Sequence, residues 1–409
     1  MAREQHSLEG SGKIQLNHST KSRLQMQTKL DTQDVKILEA AGTYGPRNLQ
    51  LIATELGMKR GTVWKRVKRL SSNFFLEFHV NPYHTNMGLR KAIVLAWANP
   101  GKENLLFDCL YVNDYRNFIS RCYGIREGCF AVYIIPVDHI AEFTEFLDTT
   151  KKMGLTREMH VTWSTCFQNV NPTQNWFDPK TESWTFSWNN WIEEMANEGT
   201  ELPYTLVDPE SFTNHADYTD VFIIKELEKN AAISFVDIAK KLNTSRQNVE
   251  RHYRDHVLKR GLIESVQVMI SPFDRRGTSE PVFFNFKFKD DTRMAKFALS
   301  LLDKPFVHFL GKVLGEKALV SYMHFLSKRD FREFVNALSK VISRGFLQDY
   351  NYVFIALEKR ARETVRHEFF NNGIWAYDHN RHMQSLQDVY DRSVEIGAKS
   401  QNSSGLPSP

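Results

Sequence analysis

Cysteine is scarce in this 409-residue sequence: there are four, Cys109, Cys122, Cys129 and Cys166, all in the first half. No two form a Cys-x-x-Cys pair, which argues against a disulfide framework or zinc site and for buried free thiols in a reducing compartment. Long apolar runs are missing as well. No stretch approaches the ~20 residues needed to span a bilayer, and no signal-peptide core opens the chain, so a cytoplasmic protein without a membrane partner is expected. Charge of one sign is also lacking, since 53 Lys and Arg face 48 Asp and Glu for a formal net charge of +5. Any nucleic-acid affinity must then come from local clusters of cations, not from a global field. What is present, 42% hydrophobic and 25% charged residues, suits a chain that buries a core, and the length calls for two or more domains.

Asn48–Leu70 has the pattern of a helix-turn-helix. Leu49, Ile52 and Leu56 mark the inner face of a first helix, small Ala53 permits a close crossing, and Gly57 suits the turn. Val63, Val67 and Leu70 recur at i, i+4 and i+7, the buried face of a second helix. Its outer side carries Gly61, Thr62 and six cations, Lys59, Arg60, Lys65, Arg66, Lys68 and Arg69, with no acid among them. That combination suits a reader of the DNA major groove, cations for phosphates and small residues near bases, although a basic helix face alone is more often solvated surface.

The motif occurs twice. Ser234–His256 aligns with it at a constant offset of 186, matching Ile238, Ala239, Leu242, Arg246 and Val249 to Ile52, Ala53, Leu56, Arg60 and Val63. Asn243 stands for Gly57, the other residue type that accepts a left-handed turn. The preceding helix repeats too, with Asp217, Asp220, Val221 and Ile223 answering Asp31, Asp34, Val35 and Ile37.

After Leu76, Phe78 and Val80, an alternating strand closed by Asn81–Pro82, the order is βαββαβ: 91–98, 103–112, 118–123, 129–135, 137–152 and 158–165. This is a ferredoxin-like sandwich, with Ile140, Phe143 and Leu147 as the stripe that packs its second helix on the sheet. The pattern returns at an offset of 191, with strands at 282–288, 308–314, 318–325 and 348–357 and helices at 292–302 and 328–343. The expected fold class is α+β: two winged-helix-like helix-turn-helix domains and two βαββαβ sandwiches in tandem.

The expected division is a disordered arm at 1–29, a helix-turn-helix domain at 30–80 and a sandwich at 81–165, followed by a Trp-rich connection at 166–216. A second helix-turn-helix domain at 217–270, a second sandwich at 271–358, a helical appendage at 359–394 and a disordered tail at 395–409 complete it. In the connection Trp184, Trp188, Trp191 and Met195 follow helical spacing, which reads first as a packing stripe and second as a surface for stacking bases or a flat ligand. Met383, Leu386 and Tyr390 form a weaker stripe in the appendage.

A helix-turn-helix, a linking strand and a βαββαβ sandwich resemble the Lrp/AsnC family of transcriptional regulators, here over Leu30–Ser164 and again over Asp217–Leu357. Asn81–Pro82 and Ser271–Pro272 before the sandwiches, and Gly124 and Gly315 within them, support the likeness, and the fused pair is similar to archaeal variants. The resemblance implies a sequence-specific regulator of double-stranded DNA whose sandwiches dimerise and take a small-molecule effector. Glu127 and Ala318 stand where the family usually has Asp beside the effector loop, which argues against an amino-acid effector, above all in the second half.

The residues expected on DNA are Lys59, Arg60, Thr62, Lys65, Arg66, Lys68 and Arg69 in the first half. In the second they are Arg246, Gln247, Asn248, Arg251 and Arg254, where Glu250 and Asp255 offset two charges. The amides of Gln247 and Asn248 suit adenine. His252 and His256 have the i, i+4 spacing of metal ligands, but HYRDH lacks the Glu of a zinc-hydrolase motif and His256 aligns with core Leu70, so no metal is expected. Neither a cofactor nor catalysis is expected. Siroheme decarboxylases share the two-part architecture and form the alternative, as does an interaction scaffold with degenerate readers. The two sandwiches should pack together within the chain as a pseudo-two-fold pair, with the Trp-rich connection over or beside the joint and a higher oligomer left open.

Overall fold

The structure is a computed structural model that describes residues 30–270, 281–325 and 327–403. The expected arm at 1–29 and the Ser271–Pro272 boundary lie outside the described residues. Helices α1 (Thr32–Tyr44), α2 (Leu49–Glu55) and α3 (Arg60–Phe74) form the first helix-turn-helix. Asp31 caps α1 and Asp34 reciprocates, so two otherwise unpaired amide donors are satisfied. Gly57 takes φ +62° at the turn. Strand β1 (Glu77–Pro82) leaves the unit for β2 (Leu89–Ala98), α4 (Glu103–Tyr111), β3 (Arg116–Tyr123), β4 (Glu127–Pro136), α5 (Ile140–Lys152) and β5 (Thr156–Ser164).

The connection holds β6 (Gln168–Asn169), a hairpin of β7 (Phe177–Asp178) and β8 (Ser183–Trp184), and α6 (Trp188–Asn197). The second helix-turn-helix is α7 (Tyr218–Lys229), α8 (Phe235–Lys241) and α9 (Arg246–His252), which continues as a wider π turn over Tyr253–Leu258. Asn243 takes φ +51°, as its match to Gly57 requires. Then come β9 (Ile263–Met269), β10 (Val282–Lys287), α10 (Asp291–Leu299), β11 (Val307–Lys312), β12 (Ala318–Met323), α11 (Lys328–Ser343) and β13 (Asp349–Arg362). A hairpin of β14 (Phe370–Asn371) and β15 (Ile374–Trp375) and helix α12 (His379–Ser403) finish the described chain. The disordered tail expected from 395 therefore gives way to helix as far as Ser403; earlier in the same helix, side-chain bonds Gln384–Asp388 and Gln387–Asp391 brace successive turns.

Within one nine-stranded sheet the order is β5-β2-β4-β3-β13-β10-β12-β11-β6. Each βαββαβ run thus has its fourth strand beside its first, then its third and second, the ferredoxin-like order. The two runs meet where β3 pairs antiparallel with β13, Phe354 opposite Tyr123 and Arg362 opposite Phe118. At the far edges the chain leaving β5 crosses to β11, through the Ser164–Val313 bridge, Thr165 N–H on the Lys312 carbonyl and β6 beside β11. Fourth strand meets second strand at the first seam; at the other, the segment that follows the fourth strand meets the second strand, and the Ser164–Val313 bridge brings the two ends of the sheet together.

A second joint lies below the first. β1 and β9 pair antiparallel from Glu77–Met269 to Asn81–Ser265. α1 packs on β9 and α7 on β1, so each helical unit rests on the other's strand. Arg47, between α1 and α2, lies over the rings of Phe235 and Tyr253 at 4.3 and 4.4 Å.

The Trp-rich connection divides: β6 lies at the seam beside β11 and Asn171 bonds β9, whereas the tryptophan helix lies away from the joint. α6 covers α10 and α11, the outer helices of the second sandwich, and not the joint. Trp191 is buried there, its indole N–H donating to Ser300 Oγ at 3.1 Å, and half-buried Trp188 donates to Glu333 Oε2 at 3.1 Å. In return α12 covers α4 and α5 of the first sandwich, with Leu386 fully buried. Each appendage is a hairpin and a helix, and each caps the other half. Trp184 lies in β8 and not on the helix, which begins at Trp188. Replacing Trp191 with Ala should lower unfolding stability by about 3–5 kcal/mol in a denaturant titration, the usual cost of emptying a buried aromatic site. An unchanged midpoint would show that the aromatic stripe is not packing.

Candidate nucleic-acid interface and internal cavity

The reader residues divide into two groups. Lys59, Arg60, Gly61, Thr62, Lys65 and Lys68 are exposed on α3, and Lys68 Nζ lies 5.3 Å from the ring centroid of exposed Trp64. Arg66 and Arg69 turn inward. Arg66 Nη1 reaches Asp31 Oδ2 at 2.7 Å and Asp34 Oδ1 at 2.8 Å, and Arg69 pairs with Asp34, whose side chain is fully buried. Burial pushes the Asp31 carboxyl up, yet the Arg66 hydrogen bond and the Asp34 N–H hold it below its ordinary value. The expectation that Arg66 and Arg69 contact phosphates is corrected accordingly: a buried carboxylate claims both guanidinium groups.

On α9 and the turn after it, Arg246, Gln247, Arg251 and Arg254 are exposed. Arg246 lies 3.6 Å from Glu250, and Arg254 lies 3.5 Å from Asp255, which also takes Lys259 at 2.9 Å. Asn248 is half-buried and committed locally, donating to Thr244 Oγ1 at 3.1 Å and accepting from Arg251 at 3.0 Å. Gln247 keeps an exposed amide; Asn248 would have to surrender two bonds to read a base.

Between the closed sheet and the β1–β9 ribbon lies a cavity of about 380 Å³. Phe118, Phe130, Phe167, Phe309 and Tyr322 line it, with Lys91, His84, His308 and Glu228 among the polar groups and exposed Arg360 and Arg362 on its wall. Lys91 stands on β2, its ammonium 3.2 Å from the Phe167 ring centroid, and burial pulls its pKa down to about 8 against the opposing pull of Cys166, Glu228 and Glu264. His84 is buried with neither ring nitrogen hydrogen-bonded, and burial, then the Lys91 charge, keeps it well below its ordinary value. Burial and His324 lower His308 to about 3. Glu228 rises to about 7 through burial, although it accepts the Val365 N–H at 2.6 Å.

Sequence reasoning passed over all of these. Lys91 opens a strand that otherwise reads KAIVLAWA, and a cation inside an apolar strand was the available signal. His84, Glu228 and His308 gave none, because three separate parts of the chain bring them together.

The winged helix-turn-helix DNA-binding family matches residues 217–255. No curated protein matches the chain. Among solved structures, siroheme decarboxylase NirDL is similar over 88% of this chain and 99% of its own, at 10% identity and a TM-score of 0.46. A transcriptional regulator from Neisseria meningitidis in complex with L-Met aligns over 37% of this chain and 96% of its own, with 20% identity and a TM-score of 0.31. E. coli AsnC aligns over 35% and 93%, with 18% identity and a TM-score of 0.25. The likeness spanning most of the chain is therefore to an enzyme, and the expectation that this protein is not one is withdrawn. At that identity and score the likeness assigns it no activity. No helix among the described residues is long and apolar enough to cross a membrane.

Arg66 and Lys65 separate the two roles on α3. Arg66→Ala should cost about 1–3 kcal/mol of stability, since it strips buried Asp34 of a donor. Lys65→Ala should leave stability within about 0.5 kcal/mol. Equal melting curves for the two variants would contradict the division.

Proposed function

We propose that this chain is a sequence-specific DNA-binding regulator of Lrp/AsnC type, a tandem duplication whose two halves supply within one chain the pair of sandwiches and readers that single-copy relatives obtain by dimerising. The observation that carries the reading is α3. Lys59 at its N-cap and Arg60, Lys65 and Lys68 along it are exposed, and the helix has no acidic residue. The family match to the second helix-turn-helix and the ribbon that joins the two units support it. Phosphate contacts supply much of DNA affinity, so the first reader contributes most of the binding strength. The second, with Arg246 and Arg254 beside acids and Gln247 free, contributes preference more than strength, and the preferred site is asymmetric.

Selection from random duplex DNA followed by salt titration tests this. Lys65→Ala with Lys68→Ala should weaken binding to all sequences and reduce the slope of log affinity against log salt by up to about two units. Gln247→Ala should shift the preferred sequence with little change of slope. A palindromic selected site, or no binding at low salt, would sink the reading.

The cavity favours a second reading that is compatible with the first. A buried lysine, an unpartnered buried histidine and a carboxyl near neutrality can hold an anion and move a proton beside it, the equipment of an effector site or of a decarboxylase-like pocket. Aromatic walls suit a flat carboxylate-bearing ligand, and a carboxylated tetrapyrrole is the probe to use. Lys91 is charged below about 8 and Glu228 is neutral below about 7. An anion should therefore bind tightest below pH 7 and weaken as pH rises through 7 to 8 and beyond. Lys91→Met should cost roughly tenfold or more in affinity and remove the upper part of that dependence. Affinity that is flat from pH 6 to 9 would count against anion binding in this cavity.

A further inference from the structure

The corresponding corners of the two helix-turn-helix units carry different chemistry on one scaffold. In both, two aspartates form the reciprocal cap of the first helix, Asp31 with Asp34 and Asp217 with Asp220. In the first unit Arg66 and Arg69 face them, so two carboxylates meet two fixed cations. In the second, His252 stands in the place of Arg66, His256 in that of Leu70 and Asp255 in that of Arg69. Arg260 is the fixed cation paired there, 3.1 Å from Asp220 Oδ2. The Asp220 side chain is fully buried among these groups.

The geometry is that of a ligand set. His252 Nδ1 lies 3.2 Å from Asp220 Oδ1 and 3.8 Å from Asp217 Oδ2. His256 Nδ1 lies 3.2 Å from Asp217 Oδ2 and 3.3 Å from Asp220 Oδ1. One donor atom from each of the four residues falls within 4.8 Å of every other. A tetrahedral zinc ion with bonds of about 2.0–2.1 Å needs ligand atoms roughly 3.3–3.4 Å apart. The remaining oxygens are held from outside: Asp217 Oδ1 accepts the Asp220 N–H at 3.0 Å, and Asp220 Oδ2 accepts the Asp217 N–H and Arg260, each at 3.1 Å. Such outer bonds fix carboxylate orientation in metal sites.

We infer that Asp217, Asp220, His252 and His256 form a structural site for a divalent transition metal of the zinc type, which pins α7 to the second reader helix. Two imidazoles with two carboxylates favour zinc over magnesium or calcium, which take oxygen ligands. The site lies within one helical unit, apart from both the cavity and the exposed faces of the readers.

The test is zinc titration of the chelator-treated full chain against a chromophoric competitor, together with thermal melting. The chain should take up one equivalent of Zn²⁺ at this site, with a higher melting temperature, and Co²⁺ in its place should show the intense visible bands of tetrahedral coordination. His256→Ala should lose that equivalent. Since it could also loosen the fold, the deciding variant is His252→Arg, which recreates the arginine–aspartate pairing of the first unit. It should remain folded, bind one equivalent fewer and show no zinc-dependent rise in melting temperature. Unchanged zinc stoichiometry in His252→Arg, or no uptake by the unaltered chain, would overturn the inference.

Discussion

A β-sheet edge exposes unpaired amide and carbonyl groups, and this constraint organises the molecule. A four-stranded sandwich in isolation has two such edges. Here β3 meets β13 on one side, and the chain beyond β5 meets β11 on the other, so β3, β13 and β11 each gain a second neighbour and β5 gains one at its last residue. Satisfying one seam alone would leave an open sheet with two bare ends. The second seam brings those ends together through β6 and the Ser164–Val313 bridge.

Closure then dictates what else meets. The inner side of the sheet faces the β1–β9 ribbon, which joins the helical units by the same antiparallel pairing. Lys91 from the first run, His308 and Tyr322 from the second, and Glu228 from a helix of the second reader reach one cavity because two joints lie one above the other. On the outer side, each run needs a cover for its helices and takes it from the segment that follows the other. α6 caps the second sandwich and α12 the first. A chain that exchanges its covers in this way cannot separate its halves without exposing Trp191 and Leu386 together. The cavity, the seams and the covers each draw on both halves of the chain.

Most elements of the fold were legible because their signals are local. The expected helix at 328–343 coincides with α11, and the strand at 129–135 lies within β4. Partners were less visible. β13 was expected to stop at 357, but it runs to Arg362 because, beyond an irregularity between Ile355 and Arg360, its last residues pair with β3 more than two hundred positions earlier. Nothing in that segment alone announces such a partner. The placement of the Trp-rich helix failed for the same reason: an amphipathic face says that it is covered, not by what. On the readers, counting cations found α3 but could not distinguish Lys65 from Arg66. Their difference depends on the turn of the helix toward Asp34, which the sequence marks only as a repeated position.

That last distinction bears on how the two helix-turn-helix units differ. A buried capping aspartate must be neutralised, whatever the outer face of the unit does. The first unit spends two arginines on it and still retains Lys59, Arg60, Lys65 and Lys68 outside. The second places His252 and His256 at the cap and paired charges outside, Arg246 with Glu250 and Arg254 with Asp255. Its outer field is weaker. The cationic strength of the surface and the groups at the cap are separate differences between the units, one electrostatic and solvated, the other buried and stereochemical. The first alters how strongly the unit attracts a polyanion. The second alters what holds α9 against α7, and so whether that helix presents Gln247 and Arg251 in one fixed orientation.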